Sequence, residues 1–440
     1  MKTDFDILII GGGMVGASLA CALGNSGLRI GRSRRPASAT APGVALPPAS
    51  MQSSRDTRAS LRIGIIEAVP LTTSSQPSYD ARTVALAYGS KRIFDGMGLW
   101  DKIAQRGAAP IKRIHISDRG RFGFTRLDAR DAGIEALGYV VENRVLGTTL
   151  YEAMQELNNV HLFCPAAMKA VAFKPDAAVV TVKCNGAVST MTARLVVAAD
   201  GADSAVRAAV GIKAQRVDYG QTAIVTTVIT EKPHGNTAYE RFTEIGPLAL
   251  LPMDAARCAV VWSARPQEVD TILSWDDAEF LRRLQERFGD RLGAFREAGK
   301  RRAYPLFLTR VKEHVRPRLA LIGNAAHTVH PVAGQGFNLG LRDVAALSEV
   351  LTEAERAGKD IGDMQVLQRY ADWRRRDNRM VAGFTDGLIR IFSNAFPPLA
   401  VARNLGLVAV DLAPPIKRSL VRITSGLTGR LPKLVRGLPL

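Results

Sequence analysis

The first 24 residues combine an apolar strand, a glycine-rich turn and a helical pattern, and this combination constrains the fold of the whole chain. The strand is the apolar run Phe5–Ile10, and the turn reads Gly-Gly-Gly-Met-Val-Gly from Gly11 to Gly16. Gly11 permits the tight turn, Gly13 lets a pyrophosphate approach the backbone, and Gly16 lets the helix pack on the sheet. The pattern therefore predicts a Rossmann-like βαβ unit that, considered alone, suits either NAD or FAD.

A second glycine-rich junction follows the short apolar run Leu319–Ile322, which predicts a buried strand. Residues 323–343 read Gly-Asn-Ala-Ala-His-Thr-Val-His-Pro-Val-Ala-Gly-Gln-Gly-Phe-Asn-Leu-Gly-Leu-Arg-Asp. Gly334, Gln335 and Gly336 stand where a helix is expected to begin. Glycines at such a place let backbone N–H groups reach a large anionic ligand. The alternative for any one of these residues is an ordinary glycine-rich turn.

The middle of the chain carries a third strand-to-helix segment. The apolar residues 195–199 precede Asp200 and Gly201, and Ser204 and Arg207 follow. Asp200 and Ser204 can cap the helix that carries Arg207. They can also belong to a ligand site, and the two roles are compatible.

These three segments, in this order and spacing, resemble the motifs of the FAD-dependent aromatic hydroxylases. The resemblance is nearly residue for residue over 323–343. It implies an α/β fold with α+β elements, in which a Rossmann-like FAD-binding domain is interleaved with an antiparallel-sheet substrate domain and followed by a C-terminal helical region. The expected segments are residues 1–115, 140–212 and 316–360 for the FAD-binding domain, 213–310 for the substrate domain, and 361–440 for the helical region with its basic tail.

Further segments resemble the ubiquinone-biosynthesis hydroxylases within that family. They are residues 80–86, 141–144 and 239–253, together with Trp262. Asn324 stands where most flavin hydroxylases have an aspartate, and in this it resembles the branch that hydroxylates 2-polyprenyl-6-methoxyphenol. An asparagine can still hydrogen-bond a ribityl hydroxyl, although it brings no charge.

The resemblance implies an FAD-dependent monooxygenase that uses NAD(P)H and O₂. In this family NAD(P)H reduces FAD, O₂ adds to give a C4a-hydroperoxyflavin, and the distal oxygen passes to an electron-rich phenol. The expected reaction converts a polyprenylated methoxyphenol to the 1,4-benzoquinol. A second Rossmann fingerprint for NAD(P)H is absent from the sequence. The residues that the resemblance assigns to FAD are Gly11, Gly13, Gly16, Glu67, Arg82, Arg144, Asp200, Gly201, Gly323, Asn324, Gly334, Gln335 and Gly336.

Candidates for the chemistry itself are few. The resemblance places Pro331 against the isoalloxazine ring, and His330 is the first choice for an acid or base because histidine titrates near neutral pH. His327 matches a position that family members fill for structural reasons. The sequence shows no convincing general base.

Residues 32–60 do not follow the pattern around them and are expected to form a disordered insertion, since they are rich in Pro, Arg, Ser and Ala. The segment Leu28–Gly31 recurs as Leu61–Gly64, 33 residues later. Removing those 33 residues places Glu67 at 18 positions after Gly16, close to the roughly 20 expected for a ribose-binding acid. Glu67 is therefore predicted to bind the adenosine ribose, and the alternative is a surface glutamate at a strand end. The insertion is either a tolerated loop or an error of gene prediction.

Composition excludes several classes of protein. The net charge is +18, but no nucleic-acid-binding module is visible, so no nucleic-acid partner is expected. The sequence contains no run of about 18 apolar residues, so no membrane span is predicted. The four cysteines and six histidines show no metal-binding spacing, so no metal site is expected. With no visible secretory signal, these features predict a cytoplasmic protein.

The C-terminal segment Leu412–Leu440 contains six basic residues, no acidic ones and many interleaved Leu, Ile and Val residues. Such a segment suits peripheral contact with the inner face of a membrane. The alternative is a tail that packs its apolar side chains on the protein body. By resemblance, other enzymes of quinone synthesis are expected partners, and the polyprenyl phenol and O₂ are the expected substrates.

Several secondary-structure elements can be predicted outside the motifs. Alternating patterns indicate strands at 222–229, 238–243, 247–252 and 257–263. A helix is expected from Trp275, with Ser274 or Asp276 as its cap and Gly289 at its end. A second is expected over Leu341–Ala357, and loops are expected at the two Pro-Pro pairs, 397–398 and 414–415.

Two other functions remain open from the sequence. A sister hydroxylase of the same pathway would attack another ring position. A non-catalytic scaffold of the quinone-synthesis complex would result if the insertion had abolished FAD binding. A flavin spectrum of the purified protein separates the enzymes from the scaffold.

Overall fold

The structure is a computed structural model that describes residues 2–26, 60–70, 80, 82–330, 334–392 and 396–440. The predicted disordered insertion lies outside the described residues except for its last position, and so does the first Leu-Arg-Ile-Gly copy.

The described residues form twenty strands and eleven α-helices. The strands are β1 Phe5–Ile10, β2 Ile63–Ile66, β3 Thr83–Ala87, β4 Ala108–Ile111, β5 Arg113–Asp118, β6 Phe124–Asp128, β7 Gly138–Glu142, β8 Val160–Phe163, β9 Ala166–Phe173, β10 Ala178–Cys184, β11 Ala187–Ala198, β12 Ala214–Thr230, β13 Thr237–Phe242, β14 Pro247–Pro252, β15 Arg257–Ala264, β16 Phe295–Ala298, β17 Arg302–Val311, β18 Val315–Arg316, β19 Leu319–Leu321 and β20 His327–Thr328. The helices are α1 Met14–Gly24, α2 Tyr88–Gly96, α3 Trp100–Gln105, α4 Asn143–Gln155, α5 Ala205–Ala209, α6 Val269–Ser274, α7 Asp277–Phe288, α8 Gln335–Arg356, α9 Met364–Phe392, α10 Pro397–Leu412 and α11 Pro414–Thr424.

The first sheet has the strand order β18-β19-β11-β1-β2-β8, and β10 and β9 extend from β11. β1 lies at its centre and pairs in parallel with both β2 and β11. Ile10 is the register partner of Ile66 and of Ala198, so the three strands end side by side. Their carboxyl ends carry Gly11, Glu67 and Asp200, which brings three of the predicted site residues to one edge of the sheet. The predicted Rossmann-like unit is confirmed.

The second sheet has the order β20-β17-β12-β15-β14-β13-β5-β6, with β16 beside β12. Its pairs are antiparallel except for β13 with β5. All four strands predicted between residues 222 and 263 are present as β12 to β15. Helix α7 covers one face of this sheet, because its apolar residues Phe280, Leu284 and Phe288 are buried in the same core as Trp262. The predicted α/β fold with an antiparallel second sheet is confirmed.

A third sheet has three strands in the order β3-β7-β4. The hairpin β5–β6 comes from residues 113–128 and belongs to the second sheet, although it precedes the last strands of the first. The chain thus passes between the sheets several times. The exact domain boundaries stay a prediction.

The helix ends follow local chemistry. Asp276 caps α7 by accepting a hydrogen bond from the Glu279 N–H at 2.8 Å, and Gly289 ends the helix with a φ of +88°. Helix α8 begins at Gln335, six residues before the predicted start, because the chain enters it directly from Gly334.

The loops predicted at the two Pro-Pro pairs are wrong. Pro397 and Pro414 are the first residues of α10 and α11. A proline fits this position because its fixed φ suits the first turn and its missing N–H would have no helical partner there.

In the part of the chain that the structure describes, no single helix is long and apolar enough to cross a membrane. Helices α10 and α11 meet the length and composition criteria only as a pair, bent by 98°.

The C-terminal segment divides into two parts. Leu434 and Val435 are buried in the core of the first sheet, and Leu427 and Leu431 pack against it. This part follows the alternative in which the tail packs on the body. Leu412, by contrast, is 76% exposed.

Candidate active site

A cavity of about 1130 Å³ lies between the glycine turns of the first sheet and one face of the second sheet. Seven of the residues that the sequence assigned to FAD line it. They are Gly13, Arg82, Gly201, Asn324, Gly334, Gln335 and Gly336. The three sequence motifs therefore converge on one cavity, although Gly336 lies 323 positions after Gly13.

In the turn between β1 and α1, neighbouring backbone atoms lie so close to two glycines that no side chain fits. Gly11 has a φ of +105°, and a Cβ placed on it would lie 2.5 Å from the carbonyl oxygen of Ala199. A Cβ on Gly16 would lie 2.0 Å from the carbonyl oxygen of Gly11. Both positions exclude any side chain, so the turn holds β1, β11 and α1 in contact.

Two helices direct their N-termini at the site. Helix α1 begins after Gly13 and helix α8 after Gly334, and neither receives a side-chain cap within the described residues. The N–H groups of a first helical turn lack intrahelical partners and favour negative charge or acceptor atoms. A Cβ on Gly336 would meet no atom within 4 Å, so the cavity is open at the start of α8.

Glu67 lies at the end of β2, directly beside the first glycine turn. Its Oε2 accepts a hydrogen bond from the Gly12 N–H at 2.7 Å, and its Oε1 accepts one from the Val69 N–H at 2.8 Å. Each carboxylate oxygen can accept a further bond, so the group can still bind ribose hydroxyls. The ribose role of Glu67 stays a prediction.

Asp200 and Ser204 both act as caps, as one of the two alternatives expected. Ser204 accepts a hydrogen bond from the Arg207 N–H, and Asp200 Oδ2 accepts one from the Val206 N–H, both at 3.0 Å. The second oxygen, Asp200 Oδ1, is buried and has no partner among the described residues. An unsatisfied buried carboxylate oxygen costs free energy, so it points to a donor from a bound ligand.

Arg207 joins the middle motif to the third one. Its guanidinium donates to the carbonyl oxygen of Ala325 at 2.8 Å and to that of Ala202 at 2.6 Å. The contact fixes the Gly323–Ala325 turn relative to Asp200.

A buried charge network supports the third motif from behind. Asp343, which is fully buried, accepts hydrogen bonds from the Gly323 N–H at 2.9 Å and from Arg374 Nε at 2.6 Å. His327 Nε2 lies 2.7 Å from the same carboxylate. Burial alone would raise the pKa of Asp343, but His327 and Arg374 outweigh it and hold the pKa well below its ordinary value. The network anchors Gly323 in its left-handed conformation, with a φ of +59°.

The two arginines assigned to FAD lie in different surroundings. Arg82 lines the cavity, where its Nε donates to Asp80 Oδ2 at 2.6 Å and its guanidinium stacks over the Tyr304 ring. Arg144 is 59% exposed, pairs with Glu142 and is not among the residues that line the cavity. Its FAD role stays a prediction without support from the geometry.

The histidine candidates are held by other side chains. His330 is fully buried, bonds Gln221 Oε1 at 3.0 Å and packs edge-on against Tyr219, and it does not line the cavity. Burial lowers its pKa to about 4, so the ring is neutral at pH 7. A catalytic role for His330 gains no support here. Pro331 lies outside the described residues.

The second sheet supplies the wall of the cavity opposite the glycine turns. Its cavity face is apolar apart from a few groups, and one of these is a carboxylate, Glu240 on β13. This residue was not among the site residues predicted from the sequence. The sequence did contain a signal for it. Ala238, Glu240 and Phe242 alternate along β13, so an acid lies on the same strand face as two apolar residues.

The C-terminal helices close the remaining side. Leu388 of α9, Leu407 of α10 and Leu420 of α11 line the cavity. Gln335, at the start of α8, donates to the carbonyl oxygen of Thr424 at 3.3 Å. These long-range contacts have no local sequence signal and were not predicted.

The residues present fit FAD. The uncapped start of α1 beside Glu67 suits a pyrophosphate with an adjoining ribose. The unpartnered Asp200 Oδ1 and the open space at Gly336 lie where a ligand spanning the motifs would contact them. Among the described residues, no group of three or more His, Cys, Asp or Glu side chains could hold a metal ion.

Comparison with known proteins agrees with this arrangement. A family model described as an FAD binding domain matches residues 4–384. The ubiquinone hydroxylase UbiL of Rhodospirillum rubrum is 39% identical over 438 residues, which cover 99% of this chain and 93% of that one. The chain belongs to the FAD-dependent ubiquinone hydroxylases. This hydroxylase is also 32% identical to the 3-demethoxyubiquinol 3-hydroxylase of Escherichia coli K12, with 96% of this chain and 98% of that one covered.

Solved structures share the fold of this hydroxylase. The p-nitrophenol 4-monooxygenase PnpA of Pseudomonas putida DLL-E4 superposes with a TM-score of 0.75 at 19% identity, covering 98% of this chain and all of that one. The probable FAD-dependent monooxygenase pqsL of Pseudomonas aeruginosa gives a TM-score of 0.70 at 21% identity, covering 92% and 99%. These structures show the fold. Membership of the FAD-dependent ubiquinone hydroxylases makes the protein an aromatic monooxygenase of ubiquinone biosynthesis, as the motifs implied, and that family implies a phenolic substrate and O₂.

Proposed function

We propose that this hydroxylase converts a 2-polyprenyl-6-methoxyphenol to the corresponding 1,4-benzoquinol, with NAD(P)H as reductant. The observation that carries the proposal is the single cavity in which the three FAD motifs face an apolar sheet. Its volume, about 1130 Å³, exceeds what a drug-sized ligand needs and leaves room for a ring beside the cofactor.

When bound, FAD would pass electrons from NAD(P)H to O₂ and activate one oxygen atom of that O₂ for transfer to the ring. The motif residues given above would bind and orient it. The α1 N-terminus would face the pyrophosphate, Glu67 would bind the ribose, and Asn324 would bind the ribityl chain. The largely apolar lining of the second sheet excludes water from the reacting ring, and exclusion of water protects reactive intermediates from side reactions.

The lining also suits the polyprenyl chain. Apolar side chains continue from the second sheet to Leu388, Leu407 and Leu420 on the three C-terminal helices. The exposed apolar residues Val401 and Leu405 lie on the outer side of α10. We place the ring against the second sheet and direct the prenyl chain outward between these helices.

The ring position follows from substituent chemistry. A phenol oxygen donates electron density to its ortho and para carbons. In a 2-polyprenyl-6-methoxyphenol both ortho carbons are occupied, so the para carbon is the one that is activated and free. Hydroxylation there gives the 1,4-benzoquinol.

A second candidate is hydroxylation at another ring position. The 32% identity to a 3-demethoxyubiquinol 3-hydroxylase favours it, because that relative is named for a different carbon. The two candidates share the cavity and the cofactor and differ in the substrate they accept.

We propose that the surface formed by helices α10 and α11 contacts the inner face of an anionic membrane. Leu412 and Ile416 are exposed at their junction, and Arg418 and Arg422 follow on α11. Exposed apolar residues beside cations are what interfacial binding to anionic lipids requires. This surface adjoins the side of the cavity from which the prenyl chain leaves, and other enzymes of quinone synthesis are expected near the same membrane.

The experiment is removal of the gene followed by mass spectrometry of the accumulated quinone precursor. Accumulation of the 2-polyprenyl-6-methoxyphenol, reversed by the wild-type gene, is the expected result. Accumulation of a 3-demethoxy precursor would overturn the proposed substrate and favour the sister reaction. Complementation with a Gly16→Val variant serves as the control, since its FAD turn cannot form.

A further inference from the structure

Glu240 is the one carboxylate that lines the cavity in the part of the chain that the structure describes. It lies in the middle of β13, where its register partners are Ile116 on β5 and Ala249 on β14. Both partners also line the cavity and are apolar. The acid therefore stands alone on an apolar surface, where a charged group is costly unless a ligand engages it.

The carboxylate is not satisfied by the protein. Its Oε1 is buried and has no hydrogen-bond partner among the described residues. Most buried polar atoms in proteins are hydrogen-bonded, so an unpaired one beside a ligand cavity indicates a donor on the ligand. A phenol hydroxyl is such a donor, and it is the only O–H group of the proposed substrate.

We propose that Glu240 is a catalytic residue that accepts the proton of the substrate's phenol hydroxyl. The inference rests on the proposed function in that it takes a phenol as the ligand. In the step, the phenol O–H bond breaks, the proton joins a Glu240 carboxylate oxygen, and the electron pair stays on the phenolate oxygen. No oxidant is consumed. The phenolate donates electron density to its para carbon more strongly than the phenol does, which activates that carbon for oxygen transfer.

The acidity of the group suits this role. Burial raises the pKa of Glu240 to about 8. An ordinary glutamate has a pKa of about 4.3 and a phenol such as tyrosine about 10, so burial brings the carboxyl much closer to its partner. Matched acidities favour proton transfer near neutral pH.

The other charged groups of the described cavity lining are already paired. The arginines that line the cavity are Arg82, Arg216 and Arg403, whose guanidinium groups lie 2.6, 3.3 and 2.8 Å from the carboxylates of Asp80, Asp203 and Asp118. Asp118 lies on β5, opposite Phe242, and Arg241 is the neighbour of Glu240 on the alternate face of β13. The remaining titratable groups of the lining are Tyr239 and Tyr304. None of these pairs supplies a charge that would replace Glu240 as a proton acceptor.

The first measurement is binding, which does not depend on turnover. The flavin-loaded protein is titrated calorimetrically with 2-methoxy-6-methylphenol and with its O-methyl ether. The wild type should prefer the phenol, and the preference should grow as the pH rises through about 8, where Glu240 ionises. The Glu240→Gln variant keeps the shape but cannot accept a proton, so its preference should not change with pH. Equal pH dependence in both proteins would overturn the proposal.

The second measurement is the pH profile of hydroxylation of the same phenol. The wild-type kcat should rise through an inflection near pH 8, and Glu240→Gln should lower kcat roughly a hundred-fold, a loss typical for a general base. The variant should lose the inflection and recover on a ring-fluorinated phenol of lower pKa. Glu240→Asp, which retains a carboxylate, should restore the inflection at a reduced rate. An unchanged kcat and profile in Glu240→Gln would sink the proposal.

Control variants separate structure from chemistry. Glu244→Gln makes the same chemical change four residues away, at an acid that is 67% exposed and outside the cavity lining, and it should leave binding and kcat unchanged. If the wild type forms the quinol and Glu240→Gln forms it at the same rate, Glu240 is not the proton acceptor, and the proposed function is unaffected. If the wild type forms no quinol but prefers the phenol, and Glu240→Gln abolishes this preference, the proposed function is wrong. Glu240 remains the binding partner of the phenol in that case.

Discussion

The third FAD motif should depend on Asp343 for its stability, and the Asp343→Asn variant tests this. The carboxylate is 0% exposed and its partner Arg374 is 4% exposed, with Nε and Oδ1 2.6 Å apart. Removing one member of a buried ion pair leaves the other charge uncompensated, which costs about 3–5 kcal/mol. Asp377 still contacts Arg374 in the variant, so we expect the lower limit: a loss of about 3 kcal/mol, which lowers the ratio of folded to unfolded protein roughly a hundred-fold.

The assay is urea unfolding at pH 7, followed by tryptophan fluorescence and by release of flavin. Asp372→Asn is the matched control. Asp372 also pairs with an arginine of α9, Arg375, at 3.0 Å, but both side chains are more than half exposed. An exposed pair contributes about 0–1 kcal/mol, so the control should differ little from the wild type.

The pH dependence follows from the sign of the shift. The pKa of Asp343 is lower in the folded protein than in the unfolded chain. The contribution of Asp343 to the free energy of unfolding is therefore complete above about pH 5. It decreases as the pH falls through the pKa of the unfolded chain, about 3.9, toward the lower pKa of the folded protein. The difference in stability between wild type and Asp343→Asn should therefore become smaller as the pH falls from about 5 toward 3. If Asp343→Asn and Asp372→Asn lowered the free energy of unfolding equally at pH 7, burial would not determine how much the ion pair contributes.

Two further predictions concern other parts of the chain. Deleting residues 32–64 joins Gly31 to Ile65 and leaves an intact Leu-Arg-Ile-Gly-Ile-Ile-Glu strand, so the shortened protein should fold and retain flavin; a colourless product would show that the segment is needed. The Leu412→Asp, Ile416→Asp double variant should co-sediment less with anionic liposomes than the wild type, and high salt should weaken wild-type binding. Val188→Asp, at another exposed apolar site, is its control, and equal losses in both would place the membrane contact elsewhere.

The sequence predicted those features that depend on local patterns. The glycine turn at Gly11–Gly16 needs no tertiary information, because steric exclusion fixes which residues can occupy it. Glu67 could be placed at the end of a strand once the repeated Leu-Arg-Ile-Gly was recognised. The four strands between residues 222 and 263 alternate regularly enough to be seen.

The missing parts depend on contacts between distant residues. Arg374 looks like any arginine of a charged helix, and nothing in its neighbourhood shows that it meets Asp343 in the core. Glu240 became a candidate only when the register of β5, β13 and β14 placed it on an apolar cavity face. Proline was interpreted as a helix breaker at Pro397 and Pro414, whereas it begins a helix at both places.

The most direct test of the central claim is turnover of 2-methoxy-6-methylphenol under ¹⁸O₂ with NAD(P)H. If the cavity holds the ring as proposed, one labelled oxygen should appear on the para carbon, and the product should be the 1,4-benzoquinol. Mass spectrometry and NMR of the quinol locate the label. Label at another ring carbon, or a quinol without label, would contradict the proposed reaction.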